Sequence, residues 1–176
     1  FNIIDFTKDE KLKSSLNSLQ KVDNNNCSVL KRYLGNSKLI FTSGCFDLVH
    51  EGHIDVLRKA KSFGGILIVA LNSDDSITRL KGEGRPINNL DTRLSVLSAI
   101  KYIDLIIIFS EETPNHIFEI LEPDILVKGG DYSYDVIKKI FPKVKMYESV
   151  PLINNISSTN IINKIQNSKS FDSLTI

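Results

Sequence analysis

Two of the chain's three histidines, His50 and His53, lie three residues apart across Gly52, within the string Gly44-Cys45-Phe46-Asp47-Leu48-Val49-His50-Glu51-Gly52-His53. Side chains three apart share one face of a helix, so a helix opening here lets both imidazoles donate hydrogen bonds to one group. The first turn of such a helix also offers unpaired backbone N–H groups and the positive end of the dipole, which favour an anion. Gly44 lets the backbone turn closely under a ligand, and Gly52 removes a side chain where those amides would meet it. The chemistry that suits these residue types is the handling of phosphate. A histidine pair can also ligate metal, but neither cysteine nor His116 suggests a third or fourth ligand. Ordinary surface or capping roles are the remaining reading.

Further residues of the right type lie downstream. Lys81 and Arg85 flank Gly82 and Gly84 in a stretch that could close over phosphates, or simply be solvated. Arg93 follows, as a support for that loop or as one half of a helix-surface ion pair. In Lys128-Gly129-Gly130-Asp131 the two glycines allow the backbone to lie flat against a base, or to make a plain left-handed turn. Ser157, Ser158 and Thr159 begin a helical pattern, where their hydroxyls can cap it or its N-terminus can receive an anion.

The elements that must position these groups follow from periodicity. Residues 39–42 form a short β-rich run ending in Ser43-Gly44, and residues 54–61 continue in helical style. The alternation repeats: strand 66–71, helices 74–80 and 91–100, and strand 105–109. A helix follows from Thr113-Pro114 to about Leu121, with Thr113 as its cap, then strands 125–127 and 144–147 and a closing helix 157–166. Strands that are apolar throughout and separated by helices predict an α/β, doubly wound, five-stranded and mainly parallel sheet covered on both faces. Ligands of such sheets sit beyond the carboxyl ends of the strands, where strand order reverses. The loops 43–53, 72–85, 110–113, 128–134 and 153–159 are therefore where function belongs, and Asn72, ending the second strand, is placed for substrate or ribose contact.

Before this unit, Leu12, Leu16 and Leu19 recur at helical spacing within residues 8–20, and the Asn-rich stretch 21–26 reads as a loop. The expected organisation is an N-terminal helical extension (1–37), one domain (38–167) and a short tail (168–176). The Leu stripe suits packing on a second copy of the chain, so a homo-oligomer is expected. The chain begins at Phe1, consistent with a trimmed or processed chain or one part of a longer polypeptide.

Composition closes off other classes. The 176 residues are 41% hydrophobic and 24% charged, values of an ordinary globular domain. Lys plus Arg (22) nearly balances Asp plus Glu (21), so no overall positive field invites nucleic acid or an anionic membrane. No apolar run approaches the roughly 20 residues of a membrane span. Two cysteines, Cys27 and Cys45, without a CxxC pair support neither a disulfide framework nor a zinc site, so a reducing cytoplasmic setting is the default.

The string from Gly44 to His53 resembles the signature of the cytidylyltransferase-like nucleotidyltransferases, marked by HxGH and a later Ser/Thr-rich helix start, here Ile156-Ser157-Ser158-Thr159. More narrowly, Leu71-Asn72-Ser73-Asp74, the run from Arg79 to Asn88, and Leu126-Val127-Lys128-Gly129-Gly130-Asp131-Tyr132 resemble the domain that makes ADP-heptose from ATP and D-glycero-β-D-manno-heptose 1-phosphate. The resemblance implies attack of a sugar 1-phosphate oxygen on the α-phosphorus of ATP, with Mg²⁺ accompanying the nucleotide and pyrophosphate leaving. It implies His50, His53 and Lys38 as catalytic groups. It sets Gly44, Cys45, Phe46, Asp47, Gly52, Lys128, Gly129, Gly130, Asp131, Ser157, Ser158 and Thr159 on the nucleotide, and Asn72, Lys81, Arg85 and Arg93 on the acceptor. A linked sugar kinase domain is a further implication. Lys38 could instead be a solvated strand-edge charge and Asp47 a helix cap.

The chain departs from the family pattern at two places. Asn163 stands where a basic residue is common, with Lys164 next, and the stretch between Tyr132 and Val150 is short. The alternatives are a CTP-dependent enzyme acting on glycerol 3-phosphate or a similar small phosphate, and a nucleotide-binding module without turnover.

Overall fold

The runs of Leu, Ile, Val and Phe open four strands of one sheet, β1 (Leu39–Gly44), β2 (Ile66–Asn72), β3 (Leu105–Phe109) and β4 (Ile125–Gly129), and the more polar β5 (Met146–Val150) adds the fifth. The computed structural model describes residues 24–130, 132–151 and 156–168. Strand order is β3-β2-β1-β4-β5, and every pairing is parallel. The chain builds outward from β1 in one direction and then returns to add β4 and β5 on the other side. The reversal places the switch point at the carboxyl ends of β1 and β4.

Side chains alternate along each strand and so feed two cores. Leu39, Phe41, Ile68, Ala70 and Leu126 pack on one face, against α1 (Asn24–Leu34), α5 (Asn115–Leu121) and α6 (Tyr134–Ile140). Ile40, Leu67, Val69, Leu71 and Val127 pack on the other, against α2 (Glu51–Ser62) and α4 (Leu90–Ser98). The described helices also include α3 (Asp74–Lys81) after β2 and α7 (Ser158–Asn167) after β5. The amino ends of the strands are tied by two equivalent aspartates. Asp124 accepts the Leu39 N–H at 2.8 Å and Asp104 the Leu67 N–H at 2.7 Å, and each returns its own amide to the carbonyl of the same residue. Gly65, at φ 128°, lies so close to the Lys38 carbonyl that a Cβ would stand 2.4 Å from it, so only glycine makes this turn into β2.

Several local expectations shift. The Asn-rich stretch does not end in a loop: α1 starts at Asn24, and its Cys27, Leu30 and Leu34 are core residues packed beside Phe118 and Leu121 of α5. Residues 8–20, with the Leu stripe, lie outside the described residues. Pro114, not Thr113, occupies the cap position of α5. The fifth strand runs from Met146 to Val150 rather than 144–147, because Val144 turns back to give its amide to Phe141. α6 was not expected at all. Among the described residues no helix is long and apolar enough to cross a membrane.

Candidate active site

A cleft of about 600 Å³ opens over the carboxyl ends of β1, β2 and β4, and both histidines of the HxGH string line it. His50 caps α2 with extended backbone and His53 lies in its first turn, so the helix brings their rings to 3.9 Å between centroids. The His50 N–H donates to His53 Nδ1 at 3.3 Å. A ring nitrogen that accepts this bond carries no proton, which leaves the neutral ring with its proton on Nε2. Burial, helped by His50 and Lys81, pushes His53 down to about 4, so at neutral pH it is an uncharged donor held in one tautomer. Burial also lowers His50, whose Nδ1 is enclosed and makes no hydrogen bond among the described residues. A Cβ at Gly52 would stand 3.3 Å from Cε1 and Nδ1 of His50, so the glycine lets that ring lie against the helix. Behind the pair, Phe46 adopts left-handed backbone at φ 46° and sets its ring 5.0 Å from that of His53. A non-glycine residue in that region is strained, and such strain gathers at functional sites.

Asp47 is in the same loop, but its carboxylate is fully enclosed. It accepts the amides of Ile87 and Asn88, each at 2.9 Å, and Nε of Arg85 at 2.8 Å. Burial alone would raise its pKa; the two amides and the guanidinium outweigh that and hold the carboxyl below its ordinary value. Asp47 and Arg85 thus fasten the loop before α4 to the loop after β1, while Nη2 of Arg85 is buried without a hydrogen bond among the described residues. Arg93 reinforces the same junction from α4. It is 1% exposed, and it donates to the carbonyls of Cys45 and Asn72 at 2.8 Å, to that of Asn88 at 3.1 Å, and to Asp74 at 2.7 Å. Through these bonds Asp47, Arg85 and Arg93 hold the loop after β1, the end of β2 and the loop before α4 together. Burial raises the Cys45 thiol against the pull of Lys81 and Arg93, so at neutral pH it stays protonated.

Across the cleft, Lys128 is the penultimate residue of β4, with its Nζ on the carbonyl and hydroxyl of Ser43, at 3.1 and 2.6 Å. Gly130, at φ 103°, turns the chain there, its N–H on the Val150 carbonyl. From the far side, Ser157 caps α7 by accepting the Asn160 amide, and the Ser158 hydroxyl donates to the Leu48 carbonyl at 3.1 Å. That last bond draws the start of α7 against the HxGH loop and leaves exposed Thr159 on the cleft. Asn163 and Lys164 are exposed farther along α7. Asn72 and Lys81 line the β2 side, the former donating to Ser76 at 3.0 Å. Asp131 lies outside the described residues.

Lys38 requires a correction. It stands before β1, at the opposite end of the strand from Gly44, and its Nζ donates to the Phe63 carbonyl at 2.9 Å. The cleft lining begins at Thr42, four residue steps or roughly 13 Å along the strand at ~3.3 Å each, which a lysine cannot span. Sequence reasoning also passed over Ser43, although the period of two along β1 places it beside Phe41 on the α5/α6 face. It passed over Asp74 too, where an acid in the first turn of a helix was the signal.

The family described as Cytidylyltransferase-like matches residues 41–164. The chain is 46% identical over 132 residues to the Bifunctional protein HldE of Haemophilus influenzae, covering 73% of this chain and 28% of that protein. It is 40% identical over 175 residues to the Bifunctional protein HldE of Campylobacter jejuni subsp. jejuni serotype O:6, covering 96% of this chain and 34% of that protein. The chain therefore spans about a third of the length of these curated relatives. Among solved structures it is similar to the lipopolysaccharide core biosynthesis protein from Thermoplasma volcanium, with a TM-score of 0.58 and 26% identity over 68% of this chain and 100% of that one. It shares the fold of the pantoate-beta-alanine ligase from Francisella tularensis, with a TM-score of 0.56 and 17% identity over 81% of this chain and 76% of that one. The matched stretch runs from the middle of β1 into α7 and so encloses the whole cleft with its paired imidazoles: the chain belongs to the cytidylyltransferase-like family of nucleotidyltransferases.

Proposed function

We propose that this chain is the adenylyltransferase domain of a longer bifunctional protein, and that it joins the AMP moiety of ATP to a heptose 1-phosphate, giving ADP-heptose and pyrophosphate. The observation that carries the reading is the close His50–His53 pair, in which a backbone bond fixes His53 as a neutral Nε2–H donor at the mouth of the sheet. The names of the relatives and of the Thermoplasma structure support the setting in heptose and lipopolysaccharide chemistry. The sugar phosphate oxygen is already an anion, so the reaction needs no strong general base. It needs two polyanions brought together and donors aimed at the charge that develops on the pentacoordinate phosphorus.

In this reading His50 and His53 donate to the α-phosphoryl oxygens and to the bridging oxygen of the leaving pyrophosphate. The first turn of α7, with Thr159, receives the β- and γ-phosphates, and Gly129-Gly130 offers backbone to the base. Asn72 and Lys81 stand on the acceptor's side. Mg²⁺ arrives with ATP, ligated mainly by phosphate oxygens, since no group of three His, Cys, Asp or Glu among the described residues is placed to hold it. The relatives are bifunctional by name and about three times as long, so a sugar kinase is the proposed second domain of this protein.

The test is pyrophosphate release measured across four nucleotides and a small panel of sugar phosphates. ATP with heptose 1-phosphate is the expected pair, and His53→Ala is expected to lower kcat ~10²-fold with a smaller change in KM. An unchanged kcat in that variant removes the histidine role. Turnover only with CTP and glycerol 3-phosphate replaces the substrate assignment. Nucleotide-dependent thermal stabilisation without turnover for any pair makes the chain a binding module.

A further inference from the structure

The cleft straddles the top edge of the sheet. Leu39 and Phe41 pack on the α5/α6 face, and the period of two carries Ser43 to the same side; Leu126 packs there, and Lys128 follows it. Lys128 Nζ accordingly stands 6.0 Å from the ring centroid of Phe141, a core residue of that face. The histidines belong to the other face, where Phe46, in contact with His53, packs with α2 and α4. The start of α7 is drawn to this second face as well, through the bond from Ser158 to Leu48. Between the two sides the strand ends are Gly44 and Gly129. A Cβ at Gly129 would come within 2.8 Å of the Val56 side chain, so only glycine lets β4 end this close to α2.

The ammonium on the α5/α6 side has unusual surroundings. Two of its three N–H donors are taken by neutral oxygens of Ser43, and no carboxylate among the described residues forms an ion pair with it. A buried cation without a counter-charge is costly unless an anion joins it. The Ser43 hydroxyl accepts from Lys128 and still has its own proton to give. Burial lowers Lys128 to about 8, so it is still mainly charged at neutral pH.

We propose that Lys128 and Ser43 form the receptor for the phosphate monoester of the acceptor, on the face of the sheet opposite the two histidines. The inference rests on the transfer reading above and names the acceptor's subsite within it. In-line displacement at phosphorus sets the attacking and leaving oxygens on opposite sides of the reacting atom. With pyrophosphate departing toward the histidines and α7, the attacking oxygen must come from the α5/α6 side, where Lys128 and Ser43 stand. One P–O bond forms from the acceptor phosphate to the α-phosphorus and the bond to the pyrophosphate bridging oxygen breaks. No proton need be removed from the acceptor.

Lys128→Met and Ser43→Ala test this beside the wild type, with pyrophosphate release followed while heptose 1-phosphate and ATP are varied separately. The Tm of each free protein and its shift with ATP and Mg²⁺ are measured in parallel. Lys128→Met is expected to raise the acceptor KM about tenfold or more and to leave the KM for ATP within about twofold, the loss expected for one charge-assisted contact. Its ATP-induced Tm shift should persist, and its own Tm should not fall, because a purely structural lysine would lower Tm while an uncompensated one does not. Ser43→Ala should raise the acceptor KM about threefold, the effect of losing one neutral donor. An equal rise in the KM for ATP, or loss of the ATP-induced shift, overturns the proposal by assigning Lys128 to the donor. An unchanged acceptor KM overturns it outright, and if Lys128→Met fails to fold, Ser43→Ala decides on that same criterion. A wild type that releases no pyrophosphate with any pair overturns the transfer reading itself, a result distinct from these.

Discussion

Arg93→Met removes a buried guanidinium while keeping an apolar side chain of similar reach. Four bonds disappear: those to the carbonyls of Cys45, Asn72 and Asn88, and that to Asp74. The Asp74 carboxylate is 41% exposed and rehydrates, and its second oxygen keeps the Leu90 amide, so it adds little. Each buried carbonyl left unpaired costs about 1–3 kcal/mol. Losses within one network do not add, since the vacated groups relax together, so the expected total is about 3–5 kcal/mol, the lower part of the sum for three carbonyls. Against a typical stability of roughly 5–15 kcal/mol, that is a large fraction. Urea unfolding followed by far-UV circular dichroism measures it, with kcat and both KM values determined on the same preparations. Because Arg93 holds the loop after β1 to the end of β2, kcat should fall along with stability. A loss below about 1 kcal/mol would refute the reasoning. Wild-type stability with only a raised acceptor KM would return Arg93 to the substrate-binding role that the sequence suggested.

Two further outcomes follow from the geometry. His53 has a folded pKa of about 4 against an ordinary 6.5, so below pH 6.5 the unfolded chain binds a proton that the folded chain refuses. Stability should therefore be fully present above pH 6.5 and fall between pH 6.5 and 4, by at most about 3 kcal/mol, and His53→Gln should flatten that part of the urea-midpoint profile. An equally steep profile in the variant assigns the loss to other groups. Lys38→Ala should leave kcat and both KM values within about twofold, because its amine lies at the far end of β1. A tenfold fall in kcat would restore it to the site.

The first four strands were legible because each opens on a short apolar run, whereas β5 carries Glu148 and Ser149 and was displaced; the order of strand and helix along the chain was enough to place the cleft at the carboxyl ends of the strands. Two helices were missed although their signals were present. Cys27, Leu30 and Leu34 repeat at helical spacing in α1, and Ser133 caps α6 ahead of Ile137 and Ile140. In both cases polar residues at the helix start outweighed a short apolar stripe. The misplaced lysine has a different origin. Lys38 and Lys128 both adjoin β-strands, and the resemblance weighed type over direction; yet a residue that precedes a strand of this sheet is necessarily at its blind end, so chain order alone separates the two.

The positioning network could not be read locally for a physical reason. Arg93 draws on residues 45, 72, 74 and 88, and Asp47 on residues 85, 87 and 88, so each is a charge satisfied mostly by segments about twenty or more positions away. On a linear sequence such a residue is indistinguishable from one that waits for a ligand, because both present a charge with no neighbour. Burial with a complete set of partners, as at Arg93, marks the first kind. Partial burial with neutral partners only, as at Lys128, marks the second. That difference in counter-charge, rather than proximity to the cleft, is what divides the cations of this site between holding the loops and receiving phosphate.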